Sequence, residues 1–142
     1  MKFNENKPSA AFISIIHKEH AKYINENVKD EDLSFGLHPI LIIIYENEGI
    51  NQEKLAEVLH LNESTITRNL KKLEDKGFIE RIKNKRKKII KLTSKGRKTA
   101  QKVINYDYKW DEKLKQNLTE EEYANFLEAL RTICEELLWI KQ

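Results

Sequence analysis

The sequence predicts a mainly α-helical protein with a small two- or three-stranded antiparallel sheet, and three observations lead to this fold class. Apolar residues recur every three or four positions through most of the chain, which is the period of a helix. One short stretch, residues 78–92, has instead the composition of two β segments. Four glycines and two prolines are too few for an all-β chain with many tight turns. The 142 residues fit one domain with an attached dimerisation arm and exclude a two-domain enzyme.

Three helices are predicted in the first part of the chain. The first covers residues 9–29, where one apolar stripe runs along the helix. Pro39, a residue tolerated at the first helical position, begins the second helix, and Gly49 ends it. The third helix is short, and Asn51 has a side chain that can cap its N-terminus.

A fourth helix follows after a tight turn, so the third and fourth helices are expected to form a helix-turn-helix. Asn62 is the N-cap candidate of this helix, and Gly77 ends it. Ile66, Leu70 and Leu73 recur at i, i+4 and i+7 and therefore share one face. That face must be buried.

A hairpin and two more helices complete the predicted order. Two short β segments, Phe78–Ile82 and Ile89–Leu92, flank a cationic run and predict a hairpin with a charged tip. Thr93 can cap the next helix. Thr119 and Glu122 have the spacing of a capping box, so they predict the start of a last helix that carries a wide apolar seam to the C-terminus.

The positive charge of the chain is concentrated in one quarter of its length. The net charge is only +3, but residues 67–102 hold 15 Lys and Arg against three Asp and Glu, which gives +12 there and −9 over the rest. A basic patch of this density favours a nucleic-acid partner.

The fourth helix has the composition of a recognition helix, which needs an apolar back and a front of short hydroxyls and a long cation. Arg68 is the predicted base contact, because a guanidinium can grip guanine O6 and N7 together. Lys71, Lys72 and Lys76 are expected to meet phosphates, and the alternative is a solvated face with no ligand. The predicted DNA-binding residues of this helix are Ser64, Thr65, Thr67, Arg68, Lys71 and Lys72.

The hairpin tip has five cations and no acid in six residues, a run that repels itself unless an anion is present. A duplex minor groove or its phosphates would supply that anion, and Arg86 suits the narrow groove because guanidinium is weakly hydrated. The alternative is a solvated charge run. The predicted DNA-binding residues of the hairpin are Lys83, Asn84, Lys85, Arg86, Lys87 and Lys88.

Residues 33–97 resemble the winged helix-turn-helix of the MarR family of transcriptional regulators. The segments that carry the resemblance are Gln52–Ala56, Leu61–Arg68, Lys72–Ile79 and Leu92–Gly96. Their order and spacing, with one helix before and two long helices after, cover almost the whole chain. The family's wing usually has an Asp two residues before its Arg, whereas Asn84 stands in that position here, so the resemblance carries over only Arg86.

The resemblance implies a homodimer that binds double-stranded DNA at a pseudopalindrome and acts as a ligand-relieved repressor. Residues 33–93 would form the DNA-binding domain, and residues 1–32 with 94–142 would form a helical dimerisation region. A small-molecule effector pocket would form between them, and aromatic walls suit a planar or apolar effector. Dimer packing alone is the other explanation for the aromatic residues concerned, which are Tyr23, Tyr106, Tyr108 and Trp110.

Other functions find less support in the sequence. Cys134 is expected to be a small buried hydrophobe of the last helix, and His20 a packed histidine, because no further ligands accompany the His17–His20 pair. No catalytic motif or phosphate loop is present, so we expect no enzyme and no cofactor. No uncharged stretch is long enough to span a membrane, and a cytoplasmic protein is expected. The alternative hypothesis is a helical module that binds RNA or a protein through its basic hairpin.

Overall fold

The computed structural model describes residues 2–29 and 32–141. The order of elements is the predicted one, with four helices, a two-stranded antiparallel wing and two helices. A short 3₁₀ turn, Phe35–Leu37, precedes the second helix. The elements are α1 (Ser9–Val28), α2 (His38–Glu46), α3 (Gln52–Leu59), α4 (Glu63–Asp75), β1 (Ile79–Asn84), β2 (Lys87–Leu92), α5 (Ser94–Lys115) and α6 (Glu120–Lys141).

The chain divides into two compact units, one ending at Asp107 and the other beginning at Tyr108. The first unit has a continuous apolar core to which every helix and strand of the unit contributes. The predicted buried face of α4 is confirmed, because Ile66, Leu70 and Leu73 have no exposed surface. Other core residues with at most 2% exposure are Ile24, Val28, Ile40, Leu41, Ile44, Leu55, Phe78, Ile79, Ile90, Ala100 and Val103.

Side-chain caps define the starts of both helices of the helix-turn-helix. Asn51 Oδ1 accepts a hydrogen bond from the Lys54 N–H at 2.8 Å, and Asn62 Oδ1 accepts one from the Thr65 N–H at 2.8 Å. Between the two helices, His60 has a left-handed backbone with φ 53°, which turns the chain from α3 to α4. Both predicted caps are confirmed.

The wing strands are longer than the sequence predicts. They pair from Ile79↔Leu92 to Asn84↔Lys87, so the turn is reduced to Lys85 and Arg86, with Lys85 in the left-handed region at φ 60°. The expected six-residue tip is therefore wrong, because long cationic side chains that point to solvent can extend a ladder without an apolar signal. The outer edge of β2 also pairs with the segment before α3, where Ile90 N–H donates to the Ile50 carbonyl at 3.0 Å.

The start of α5 packs directly against the end of the helix-turn-helix. Thr93 caps α5 as predicted, since its Oγ1 accepts a hydrogen bond from the Gly96 N–H at 3.0 Å. The Thr93 N–H donates to the Phe78 carbonyl at 3.1 Å. A Cβ at Gly96 would collide with that same carbonyl, so only glycine permits this approach.

The second unit contains the end of α5 and the whole of α6. The capping box is confirmed, because Thr119 Oγ1 accepts from the Glu122 N–H at 3.1 Å and Glu122 Oε1 accepts from the Thr119 N–H at 2.9 Å. These hydrogen bonds lower the pKa of Glu122. Tyr123 at the start of the α6 seam is buried, but the apolar residues from Leu127 to Leu138 are exposed in the single chain. Cys134 is exposed with them, so the single chain does not show its expected burial. In the part of the chain that the structure describes, no helix is long and apolar enough to cross a membrane.

We expect Gly96→Ala to destabilise the first unit by about 1–3 kcal/mol, because the new methyl group forces the Phe78 carbonyl away from α5. Urea unfolding followed by circular dichroism measures the change. Gly36→Ala is the matched control, since a Cβ there has no atom within 4 Å and should leave the urea midpoint close to that of the parent. Equal midpoints for the two variants would contradict this account of the α5 contact.

Candidate nucleic-acid interface

The predicted recognition face lies on the outside of α4. Opposite the fully buried residues of this helix, five of its six predicted DNA-binding side chains are exposed, and Thr65 is half-buried. Arg68 extends from this face, and its Nη2 makes only a long contact of 3.5 Å with Thr65 Oγ1. The guanidinium therefore keeps most of its hydrogen-bonding capacity for a ligand.

Two of the predicted hydroxyls already have partners within the helix-turn-helix. Ser64 Oγ donates to the capping oxygen Asn62 Oδ1 at 2.8 Å. Thr67 Oγ1 donates to the Glu63 carbonyl at 2.8 Å and accepts from Gln52 Nε2 at 2.7 Å. Thr67 therefore joins α4 to the first residue of α3. Gln52 is a site residue that the sequence analysis missed, since nothing local indicates a contact across 15 positions.

The lysines of α4 differ in what they contact. Lys71 lies 3.5 Å from Asp75 in the same helix, and both side chains are exposed. Lys76, expected to meet phosphates, donates instead to the Asp32 carbonyl at 2.9 Å and lies 3.5 Å from the Asp32 carboxylate. Lys71 and Lys72 are thus on the exposed face, whereas Lys76 is engaged within the chain.

The wing and the starts of α3 and α4 border one shallow cleft. All six predicted wing residues, 83–88, are exposed. The cleft has a volume of about 190 Å³, and Arg86 lines it together with Asn51, Gln52, Glu53, Glu63, Lys87 and Lys88. The cationic wing and the first turn of α4 therefore lie on the same side of the first unit.

An ion pair joins the base of the wing to the end of α4. Arg81 donates from Nε to Glu74 Oε2 at 3.2 Å and from Nη2 to Glu74 Oε1 at 2.9 Å. The hydrogen bonds from Arg81 lower the pKa of Glu74, and those to Glu74 raise the pKa of Arg81. Both groups are therefore charged at neutral pH. No local sequence pattern predicts this pair, because it links a helix to a strand.

Comparison with known proteins identifies the family of this winged helix-turn-helix. The MarR family model matches residues 36–88. The HTH-type transcriptional regulator BilQ of Clostridium symbiosum is 32% identical over 127 residues, which cover 87% of this chain and 88% of that protein. The chain belongs to the MarR family.

Solved structures of MarR proteins share the fold over nearly the whole chain. The crystal structure of MarR superposes with a TM-score of 0.87 at 27% identity and covers 99% of this chain and 98% of its own. A MarR family regulator from Listeria monocytogenes, solved in complex with 26mer DNA, gives a TM-score of 0.80 at 28% identity and covers 97% and 91% of the two chains. The predicted family and fold class are confirmed, and DNA-binding regulation of transcription is the family's function.

Among the described residues, the ion pair of the wing lies at its base. Asn84 occupies the position where the family usually has an acid, and it lies in the exposed ladder pair with Lys87. The partner for an arginine of the wing comes instead from α4, through Glu74 and Arg81. The wing of this chain is therefore supported from the helix that is predicted to read the DNA.

The aromatic residues predicted to line an effector pocket are divided between the two units. Tyr23 and Tyr106 pack edge to face in the first unit, with ring centroids 6.2 Å apart. Tyr108 and Trp110 belong to the second unit, and Tyr108 is 68% exposed. The first unit has its own cavity of about 380 Å³, lined by His20, Ile24, His38, Pro39, Ile42, Ile43, Glu46, Leu59, Val103 and Asp107.

Two histidines of this cavity are held by neighbouring groups. His20 Nε2 lies 2.8 Å from Asp107 Oδ1, so the expected packed histidine contacts a carboxylate. Among the described residues, no three His, Cys, Asp or Glu lie close enough to hold a metal ion. His38 is 3% exposed, and its Nε2 lies 3.2 Å from the Leu33 carbonyl. Burial lowers the pKa of His38, and the contact with Leu33 partly opposes this effect.

We expect the first unit to lose stability as the pH falls from 7.5 to 5.5. Because the pKa of His38 is lower in the folded state, the unfolded chain binds the proton first, and stability declines below the unfolded value of about 6.5. Urea unfolding at several pH values measures the slope. His38→Gln should flatten it, while His17→Gln, at an exposed histidine, should not. The same slope in His38→Gln as in the parent would contradict this assignment.

Proposed function

We propose that this chain is a sequence-specific regulator that binds double-stranded DNA as a homodimer on a pseudopalindromic operator and represses transcription until an effector releases it. One observation carries the DNA-binding part of the proposal. The wing residue Arg86 and the first turn of α4 border the same cleft, so a duplex that receives the helix also meets the wing. MarR family membership supports the same activity.

The geometry fits a duplex with α4 in a major groove and the wing at the adjoining minor groove. Arg68 projects from the exposed face of α4, where its two terminal nitrogens can grip a guanine edge. Arg86 lies at the two-residue turn of the wing, the part that extends farthest from the core. The major-groove contact would supply sequence preference, and the wing would add affinity.

The exposed apolar side chains of the long helices support the homodimer. Ile13 and Ile133 have 60% and 55% of their surface exposed in the single chain. Further exposed apolar residues lie in the same two helices, α1 and α6, and are Ile15, Ile16, Leu127, Leu130, Leu137 and Leu138. Apolar surface of this extent on a soluble regulator marks a protein interface. A two-fold dimer would place its two recognition helices on half-sites one helical turn apart.

The cavity of the first unit supports relief by a small molecule. Its volume of about 380 Å³ lies within the range of ligand pockets. The walls are mostly aliphatic, the polar lining side chains are two histidines and two carboxylates, and none of the lining residues is Lys or Arg. This arrangement favours an apolar effector that carries a hydrogen-bond donor or a positive charge. This cavity differs from the pocket that the sequence predicts, because its walls are aliphatic and none of the four predicted aromatic residues lines it.

We expect the chain to bind duplexes selected from random DNA with a strong salt dependence. If each subunit neutralises about four phosphates, the slope of log K against log salt is about −7 for a dimer. Arg68→Ala should reduce affinity by about 1–3 kcal/mol and relax base preference, while Arg86→Ala should weaken binding more evenly across sequences. Fluorescence anisotropy measures affinity, and sedimentation should give two chains per duplex.

Competition between duplex DNA and structured RNA distinguishes the proposed function from the alternative, a helical module that binds RNA or a protein. A major-groove helix cannot read the deep, narrow groove of A-form RNA, so duplex DNA should displace RNA and not the reverse. A salt-independent affinity, or a preference for RNA, would reject the proposed function. Full affinity and specificity in both arginine variants would reject the site assignment alone.

We expect a screen for small molecules that release the duplex to favour apolar amines over apolar carboxylates, because two carboxylates and no Lys or Arg line the cavity. Ile43→Phe reduces the cavity and should abolish release while operator affinity stays within about twofold of the parent. Val58→Phe is the matched control, since Val58 is exposed and does not line the cavity. Release that persists in Ile43→Phe would place the effector elsewhere.

A further inference from the structure

The position of the wing tip depends on how the base of the wing is held. Lys85 lies four residues beyond Arg81, which is about 13 Å along an extended strand. A tilt of about 10° at the base would therefore move the tip by about 2 Å. That displacement is larger than the tolerance of a hydrogen bond, so an Arg86 contact needs a firmly oriented wing.

The two strands of the wing are held by different elements. On β2, the Ile90 N–H donates to the Ile50 carbonyl, which holds this strand to the segment before α3. On β1, the Arg81 guanidinium grips both oxygens of the Glu74 carboxylate near the end of α4. A bidentate pair sets the plane of the guanidinium as well as its distance, so it orients β1 better than a single hydrogen bond would.

The surroundings of the pair make it stronger than an ordinary surface ion pair. The Arg81 and Glu74 side chains are 21% and 36% exposed. In the neighbouring ion pair of α4, the Lys71 and Asp75 side chains are 68% and 61% exposed. Reduced exposure weakens screening by water and salt. Glu74 does not belong to the apolar core, because it lies beside the buried face of α4.

We propose that Glu74 is a positioning residue for DNA binding, which holds the wing through Arg81 at the height where Arg86 reaches the duplex. The proposal rests on the proposed DNA-binding function. A positioning role and simple electrostatics predict opposite changes in DNA affinity when Glu74 is replaced. Glu74 is an acid beside a cationic surface, so removal of its charge would by itself tighten binding to phosphates, whereas loss of a positioning contact weakens it.

The test compares the affinities of Glu74→Gln and Asp75→Asn for the duplex selected from random DNA. Both variants remove one negative charge from neighbouring positions of α4. Glu74 hydrogen-bonds to the wing through Arg81, whereas Asp75 pairs with Lys71 and acts on Arg81 through its charge. Glu74→Gln should weaken binding by about fivefold to tenfold, and Asp75→Asn should bind at least as tightly as the parent. Arg81→Lys keeps the charge but loses the forked geometry, and it should fall between Glu74→Gln and the parent.

A double variant separates positioning from a loss of fold. In the parent, Arg86→Ala removes the wing contact, so in a Glu74→Gln background the same change should weaken binding much less. The charge-reversed pair, Glu74→Arg with Arg81→Glu, should recover at least half of the lost affinity on a logarithmic scale. Urea midpoints show whether each variant is folded at the assay temperature.

Three results would decide against the inference. Glu74→Gln binding as tightly as Asp75→Asn would reject it, as would an Arg86→Ala effect that is undiminished in the Glu74→Gln background. If Glu74→Gln does not fold, undiminished binding by Arg81→Lys rejects it instead. Failure of the parent chain to bind duplex DNA would instead reject the proposed function. The two failures are distinguishable, because normal binding by both the parent and the variants rejects only the positioning role of Glu74.

Discussion

The burial of Phe78 is the constraint on which the arrangement of the first unit depends. Its side chain has no exposed surface, its N–H donates to the Leu73 carbonyl at 2.9 Å, and its carbonyl accepts from the Thr93 N–H at 3.1 Å. Lys95 lies over the ring with Nζ 4.5 Å from the centroid. The end of α4, the start of β1 and the start of α5 therefore meet on one residue. Full burial of such a side chain contributes about 1.5–3 kcal/mol, and it also fixes where each of these elements begins.

The exposed face of the helix-turn-helix combines side chains that hold the structure with side chains available to a ligand. The hydroxyls of Ser64 and Thr67 are used within the motif, and Thr67 also receives the Gln52 amide. Arg68 and the cations of the wing extend from this preformed surface. A surface that is ordered before it binds loses less conformational entropy on association than one that orders on contact. The internal hydrogen bonds thus hold in place the face that is proposed to recognise the duplex.

Local features of the fold could be predicted from the sequence, and distant contacts could not. The caps at Asn51, Asn62 and Thr119 were predictable, because a capping side chain bonds a backbone group two or three residues away. The pair between His20 and Asp107 joins residues 87 positions apart, and no local pattern encodes it. The exposed ladder at the wing tip was underestimated for a different reason, since its side chains carry no apolar signal. The cations of the candidate site could be predicted from composition, whereas the pair between Arg81 and Glu74 became visible only in the structure.

One segment, Ile50 and Asn51, belongs to the helix-turn-helix and to the wing at the same time. The Asn51 side chain caps α3, its backbone forms an isolated bridge to Ile89, and the Ile50 carbonyl accepts from Ile90. Any motion that carries the start of α3 must therefore carry β2 with it. The helix-turn-helix and the wing, which are proposed to face the duplex, are thus tied together at this one segment. In the proposed homodimer, the spacing between two such winged helix-turn-helix motifs would change without altering the surface proposed to read sequence. The preference for a DNA sequence and the response to an effector would then evolve independently among proteins that share this scaffold.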